Sequence, residues 1–199
     1  GNPKVSQLFG LVALVNVFSG PQAIETHVRD ALCNAQFGAN LPTDVAPLPK
    51  PFLDAISQAN AHPICKMITQ IPFNWAPPQT SNDPLYVEHS TSKAHVELLG
   101  PAGLVKSSTV RLGLYGMLPN SEYGLRTHPA EEIYIMLAGQ ADWKHSDAPY
   151  KPHYSGERSY HPSMMPHASR TGDLAFMSVY AWHGNISTEN YLYQGLPIK

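Results

Sequence analysis

The chain has 199 residues, 43% hydrophobic and 14% charged, a balance that indicates one folded domain with a sizeable core and argues against a disordered or coiled-coil chain. Net charge is −2 with histidines neutral and no basic run appears, which argues against nucleic acid as a partner. Nineteen prolines and fourteen glycines call for many turns and extended connections.

Residues 8–18, LFGLVALVNVF, form an eleven-residue apolar run, well short of the ~20 residues a membrane span needs. An amphipathic helix with Leu8, Leu11, Val12 and Val15 on one side accounts for it. Ser19 as N-cap and Pro21 in the first turn start a second helix that runs to about Ala35, with Ala23, Ile24, Val28, Ala31 and Leu32 at helical spacing. A proline-rich loop from Gly38 to Lys50 follows. Pro51 then opens a third helix, PFLDAISQANAH, whose stripe is Phe52, Leu53, Ile56 and Ala59. Residues 1–63 thus read as a helical extension that packs on the rest of the molecule or on a second subunit, which leaves a homodimer open.

From Ile64 the period changes. ICKMITQI suggests a first strand, and IPFNWAPPQTSNDP is a proline-rich connection anchored by Trp75. HVELLG, VKSSTVRLGLYGML, EEIYIMLAGQADWKHS and DLAFMSVYAWHG read as strands, separated by turns at Gly103, Pro119-Asn120, Asp147 and Gly172. Short strands with no helix between them predict an antiparallel barrel or jelly roll over residues 64–199. Cys33 and Cys65 lie far apart and in no C-x-x-C motif, which fits reduced thiols in a cytoplasmic protein. One disulfide between them is the alternative, and a periplasmic location stays open if a natural leader precedes Gly1.

The stretch Tyr123–Gly139, YGLRTHPAEEIYIMLAG, carries the chemistry. His128, Glu132 and Tyr134 share one parity, so an extended segment sends an imidazole, a carboxylate and a phenol to one face. A helix would pair His128 with Glu132 but turn Tyr134 about 120° away. Ile133, Ile135 and Leu137 form the opposite, apolar face, and Gly139 supplies the turn that ends the strand. Six of the ten histidines fall at or after His128.

Two motifs then align with a known family. The first is Arg126-x-His128-x3-Glu132-x6-Gly139 and the second Gly156-x5-Pro162-x-Met164-x2-His167-x3-Thr171. They resemble the paired motifs of the cupin superfamily, His-x-His-x3-Glu-x6-Gly and Gly-x5-Pro-x-Gly-x2-His-x3-Asn, which fold as small β-barrels holding one divalent metal. Arg126 stands where the first histidine would be. The resemblance therefore implies a ligand set of His128, Glu132, Tyr134 and His167, and mixed N/O donors of this kind suit Zn, Fe(II) or Mn.

Tyrosine two residues after the glutamate, Tyr123 upstream, Pro166-His167 and the late Tyr180-Ala181-Trp182 strand resemble the cupin-type dimethylsulfoniopropionate (DMSP) lyases, including the Q-type members with their helical extension. The resemblance covers roughly residues 65–195. It implies a mainly β cupin fold and a small-molecule substrate, DMSP, that loses an α-proton and expels dimethyl sulfide to leave acrylate. Tyr134 is the implied base, with Tyr123 competing. Aromatic faces tolerate a sulfonium, so Trp182, Tyr180, Tyr160 and Trp143 are candidates for that end of the substrate, and His161, His183 and Arg126 for the rest of the pocket. A cupin dioxygenase or isomerase on another small acid, and a non-catalytic ligand-binding cupin, are the alternatives. No G-x-S-x-G, phosphate-loop, dinucleotide-binding or H-E-x-x-H pattern is present.

Overall fold

The computed structural model describes residues 10–35 and 44–197. Helical turns over residues 10–13 run into a 3-10 helix, Leu14–Asn16. Leu11, Leu14, Val17 and Phe18 are buried while Val12 faces out, so the stripe is rotated from the expected one, and Leu8 falls outside the described residues. Helix α1, Ala23–Cys33, is preceded by Gln22 as N-cap, not Ser19. Its Ile24, Val28 and Leu32 are buried at the predicted spacing.

Helix α2 is Lys50–Ile56, shorter than expected because Ser57 already has its amide bonded back to Leu53 as a C-cap. Phe52, Ala55 and Ile56 are buried, whereas Leu53 and Ala59 are exposed.

The segment read as a first strand, ICKMITQI, is instead helix α3, Cys65–Gln70. Its buried residues, Cys65 and Ile68, are three apart, a helical repeat that a short apolar run does not distinguish from a strand. A fourth helix not expected, α4, Pro84–Ser90, starts where Asp83 accepts hydrogen bonds from the Leu85 and Tyr86 amides and Pro84 occupies the first turn. Helices thus continue to Ser90, beyond residue 63.

Nine strands follow: β1 Lys93–Leu99, β2 Val110–Met117, β3 Glu122–Thr127, β4 Glu131–His145, β5 Lys151–Tyr154, β6 Arg158–His161, β7 His167–Arg170, β8 Phe176–His183 and β9 Leu192–Gly195. Their pairings are antiparallel and fall into two sheets. One runs β1-β2-β8-β4-β6 and the other β9-β3-β7-β4-β5. The long strand β4 belongs to both, its first half in one sheet and its second half in the other, which folds the whole into a cupin barrel.

Gly139 does not end β4. It sits at φ +72° just past a register shift between Met136 and Ala138, and a β-carbon there would lie 1.9 Å from the Ala175 carbonyl oxygen. One extra residue reverses the alternation. Tyr134 and Met136 point into the barrel before the bulge and Ala141 and Trp143 after it, while Ile133, Ile135 and Leu137 face the helices.

That division separates two cores. Outside the sheet, α1, α2 and α3 cover an apolar layer of Ile133, Ile135, Leu137, Val179 and Ala181 with Ile24, Val28, Phe52 and Ile68. Gly116 of β2 leaves room for the Phe52 ring, which a β-carbon would meet at 2.7 Å. Inside, the barrel holds an aromatic cluster of Tyr86, Tyr115, Tyr123, Tyr134, Trp143, Tyr180, Trp182 and Tyr193.

Candidate active site

The aromatic cluster walls a cavity of about 410 Å³ that is also lined by Arg126, His128, Glu132 and Tyr191. A volume of this size suits a small molecule. His128, Glu132 and His167 offer donor atoms that all lie within 4.8 Å of one another, and all three residues are buried. His128 follows β3, Glu132 opens β4 and His167 opens β7, so three strands meet at one point.

Hydrogen bonds fix which imidazole nitrogens face inward. His128 Nδ1 lies 2.9 Å from the Ala130 carbonyl and His167 Nδ1 lies 2.8 Å from the Met165 carbonyl. A carbonyl only accepts, so each Nδ1 carries the proton, and in a neutral ring each Nε2 keeps its lone pair. Both Nε2 atoms approach Glu132 Oε1, at 3.5 Å and 3.1 Å. The His167 Nε2 is buried and makes no aligned hydrogen bond.

Three lone-pair acceptors facing each other without a donor repel unless a cation lies among them. This donor set therefore fits a divalent metal, held by residues whose outer nitrogens are braced in the usual second-layer manner.

Glu132 is braced as well. Its Oε1 lies 2.9 Å from His161 Nδ1, and its Oε2 accepts from Trp182 Nε1. Burial opposes its ionisation, but the imidazoles of His128, His161 and His167 around it outweigh burial and hold the carboxyl well below the usual range. Burial lowers His161 to about 4 and pushes His167 well below the ordinary imidazole range, so both are neutral near pH 7. With Nδ1–H given to Glu132, His161 accepts at Nε2 from Ser159 Oγ, 2.9 Å away, and Ser159 in turn accepts from His145 Nε2 at 2.8 Å. The chain of donors ends on the Glu132 carboxylate and keeps it oriented.

Among the residues expected at the site, Tyr134 lines the cavity with its ring 4.4 Å from Trp143 and 5.8 Å from each of Tyr115 and Tyr180. Burial and the Glu132 charge raise its hydroxyl far above the ordinary phenol range, with Arg126 opposing. Tyr123 also lines it. Its hydroxyl bonds that of Tyr191, and burial again raises it.

Arg126 is 1% exposed, its guanidinium 3.5 Å from the centre of the Tyr123 ring. Both side chains point inward because β3 is irregular between Tyr123 and Arg126. Tyr180 lines the cavity and bonds His95 at 2.5 Å, and Trp182 lines it while stacking on His128 at 4.2 Å.

Four expected residues stand elsewhere. Tyr160 pairs with Ile133 and packs on the helix-facing layer, on the opposite parity from Glu132. Trp143 lies beneath Tyr134 and Arg126, and His161 behind Glu132, neither lining the cavity. His183 stacks on His27 of α1 at 3.9 Å. Sequence reading passed over Tyr115, His95, Tyr86 and Tyr191, which line the cavity. Tyr115 was within reach, since it alternates with the buried Leu112 and Leu114. The other three arrive from segments whose position only the fold supplies.

The dimethylsulfoniopropionate lyase family model matches residues 44–177. The chain belongs to the dimethylsulfoniopropionate lyase family. A curated relative, dimethylsulfoniopropionate lyase DddQ of Ruegeria pomeroyi, is 36% identical over 91 residues. That alignment covers 46% of this chain and 45% of DddQ, so it spans less than half the length of that relative. The crystal structure of DddQ from R. pomeroyi superposes with a TM-score of 0.66 at 22% identity, over 94% of this chain and 96% of that one. A structure of the DMSP lyases RdDddP and RnDddQII superposes at 0.68 with 18% identity, over 96% and 99%. These likenesses show that the family's cupin architecture extends through the helical part of the chain. No described helix is long and apolar enough to cross a membrane.

Proposed function

We propose that this chain is a metal-dependent lyase that cleaves DMSP to dimethyl sulfide and acrylate. The observation that carries this reading is a buried His128–Glu132–His167 donor set, of which His128 and Glu132 line an aromatic cavity, in a member of the DMSP lyase family. Tyr134 is the proposed fourth ligand and base. Two residues beyond Glu132 on the same face of β4, its phenol belongs to the same wall as the donors. Tyr123 is the competing base, although its hydroxyl is engaged by Tyr191.

In the reaction the phenolic oxygen takes the proton from the carbon next to the carboxylate. The electron pair left behind forms the carbon–carbon double bond, the carbon–sulfur bond breaks, and sulfur leaves with that bonding pair as neutral dimethyl sulfide. A bound Zn, Fe(II) or Mn ion would supply Lewis-acid stabilisation of the charge gathering on the substrate carboxylate and would favour tyrosinate over tyrosine. Tyr180, Trp182 and Tyr191 offer ring faces to the sulfonium, each worth ~0.5–2 kcal/mol. Both described cysteines are free thiols, which supports a cytoplasmic setting.

The test is gas chromatography of headspace dimethyl sulfide after DMSP is added, with metal analysis of the same sample. Release that tracks metal content supports the reading. No release from metal-loaded protein rejects it.

A further inference from the structure

We propose that Arg126 is a carboxylate-binding residue of this cavity, anchoring the acid end of the ligand from the position where the first cupin motif would place a histidine. The inference deepens the lyase reading and rests on it for the identity of the natural ligand, but not for the chemistry of recognition.

A guanidinium does not lose its proton, and a buried cation without a counter-charge is costly. Arg126 is 1% exposed, and no ion pair joins it to a carboxylate among the described residues. Arg158, which is only half-buried, does find a counter-charge: it meets the buried Glu25 of α1 through Nε at 3.1 Å and Nη2 at 2.9 Å.

Arg126 is held rigidly on one side only. Nη1 reaches the Tyr123 carbonyl at 3.2 Å, the Gly124 carbonyl at 3.4 Å and Ser169 Oγ at 3.4 Å, and the Tyr123 ring lies against the guanidinium plane. Nη2 is buried and makes no aligned hydrogen bond, the Tyr134 hydroxyl being the cavity group that the guanidinium approaches, and Arg126 lines the same cavity as His128 and Glu132. A fixed guanidinium with one arm satisfied and the other without an aligned partner is preorganised for an anion, and its planar N–H donors match the geometry of a carboxylate. The ligand class is therefore a small monocarboxylate, with a neutral amide of the same shape discriminated against.

The test is calorimetric titration of acrylate and propionate, with propionamide as neutral control, into wild type, Arg126→Met and Arg126→Lys, each as purified and after chelation. Loss of a charged hydrogen bond predicts that acrylate binds Arg126→Met at least about 10-fold more weakly in both metal states, with metal content unchanged and propionamide unaffected. Equal acrylate affinity in wild type and Arg126→Met overturns the proposal, as does complete loss of carboxylate binding on chelation while Arg126 is present. Should circular dichroism show Arg126→Met unfolded, Arg126→Lys decides: it keeps the charge but not the planar fork, so a weakening of several-fold supports the proposal and wild-type affinity overturns it. A protein that binds carboxylates through Arg126 yet releases no dimethyl sulfide loses the lyase reading alone. One that cleaves DMSP with an unchanged KM as Arg126→Met loses this inference alone.

Discussion

The two faces of strand β4 are built from the same alternating run, yet they are finished to opposite standards. The helix-facing residues Ile133, Ile135 and Leu137 are buried under α1, α2 and α3 with nothing polar to satisfy. On the barrel side, four of the five buried side-chain atoms without a hydrogen-bond partner among the described residues are gathered: Tyr115 Oη, Arg126 Nη2, Trp143 Nε1 and His167 Nε2. A folded protein tolerates such atoms where a ligand or ion completes them. One face supplies stability and the other holds chemistry in reserve, and substitutions on the two should have separable consequences.

The largest expected effect is on the barrel face. Glu132→Ala removes the carboxylate on which His128, His161, His167 and Trp182 converge. Metal affinity should fall by more than about 100-fold, a loss read by metal analysis after dialysis, and dimethyl sulfide release should vanish with it. Retention of stoichiometric metal would break the contrast between the faces. Tyr134→Phe deletes only a hydroxyl and should reduce kcat/KM for DMSP by about 100-fold or more while near-ultraviolet circular dichroism stays as in wild type. If Tyr123→Phe shows that loss instead, the base is reassigned, and near-normal rates in both variants end the tyrosine-base proposal.

On the helix face the signs reverse. Ile135→Ala should cost about 2–5 kcal/mol in a denaturant melt, yet leave DMSP cleavage per folded molecule within about twofold at 25 °C. Breaking the latch between α1 and the barrel by Glu25→Gln should cost less, roughly 1–3 kcal/mol by the same assay, because the Arg158 side chain is 31% exposed and recovers water.

The effect confined to acid pH, and absent at neutral pH, concerns His95, bonded to Tyr180 on the cavity wall. Burial, helped by Arg111, lowers it from 6.5 to about 4. Between those values the unfolded chain binds a proton that the folded one refuses. The stability it contributes is thus complete above pH 6.5 and is lost as pH falls toward 4, at no more than about 1.4 kcal/mol per pH unit. His95→Gln should flatten the acid limb of stability against pH, and an unchanged limb would assign the slope to other groups.

The pattern His128-x3-Glu132-x-Tyr134 was legible because a strand's period of two leaves no freedom about which face each residue takes. The apolar stripe of α1 was legible in its helical spacing, and the cupin barrel and the distant His167 only through the resemblance of two spaced motifs to a known family. The reading failed where local signals are degenerate. ICKMITQI is too short for its period to choose between helix and strand, and Pro84–Ser90 lay hidden in a segment whose prolines suggested a loop. Tyr160 was placed at the substrate for its chemistry, when its pairing with Ile133 sets it on the outer face.

By itself, then, the sequence determined which side chains share a face, since that follows from backbone geometry over a few residues. The tertiary structure alone decided that a bulge before Gly139 turns β4 from one sheet into the other, that His161 and Trp182 hold the Glu132 carboxylate, and that Arg126 is buried with no ion pair among the described residues. Each of those depends on contacts between segments far apart in the chain, which no local period can encode.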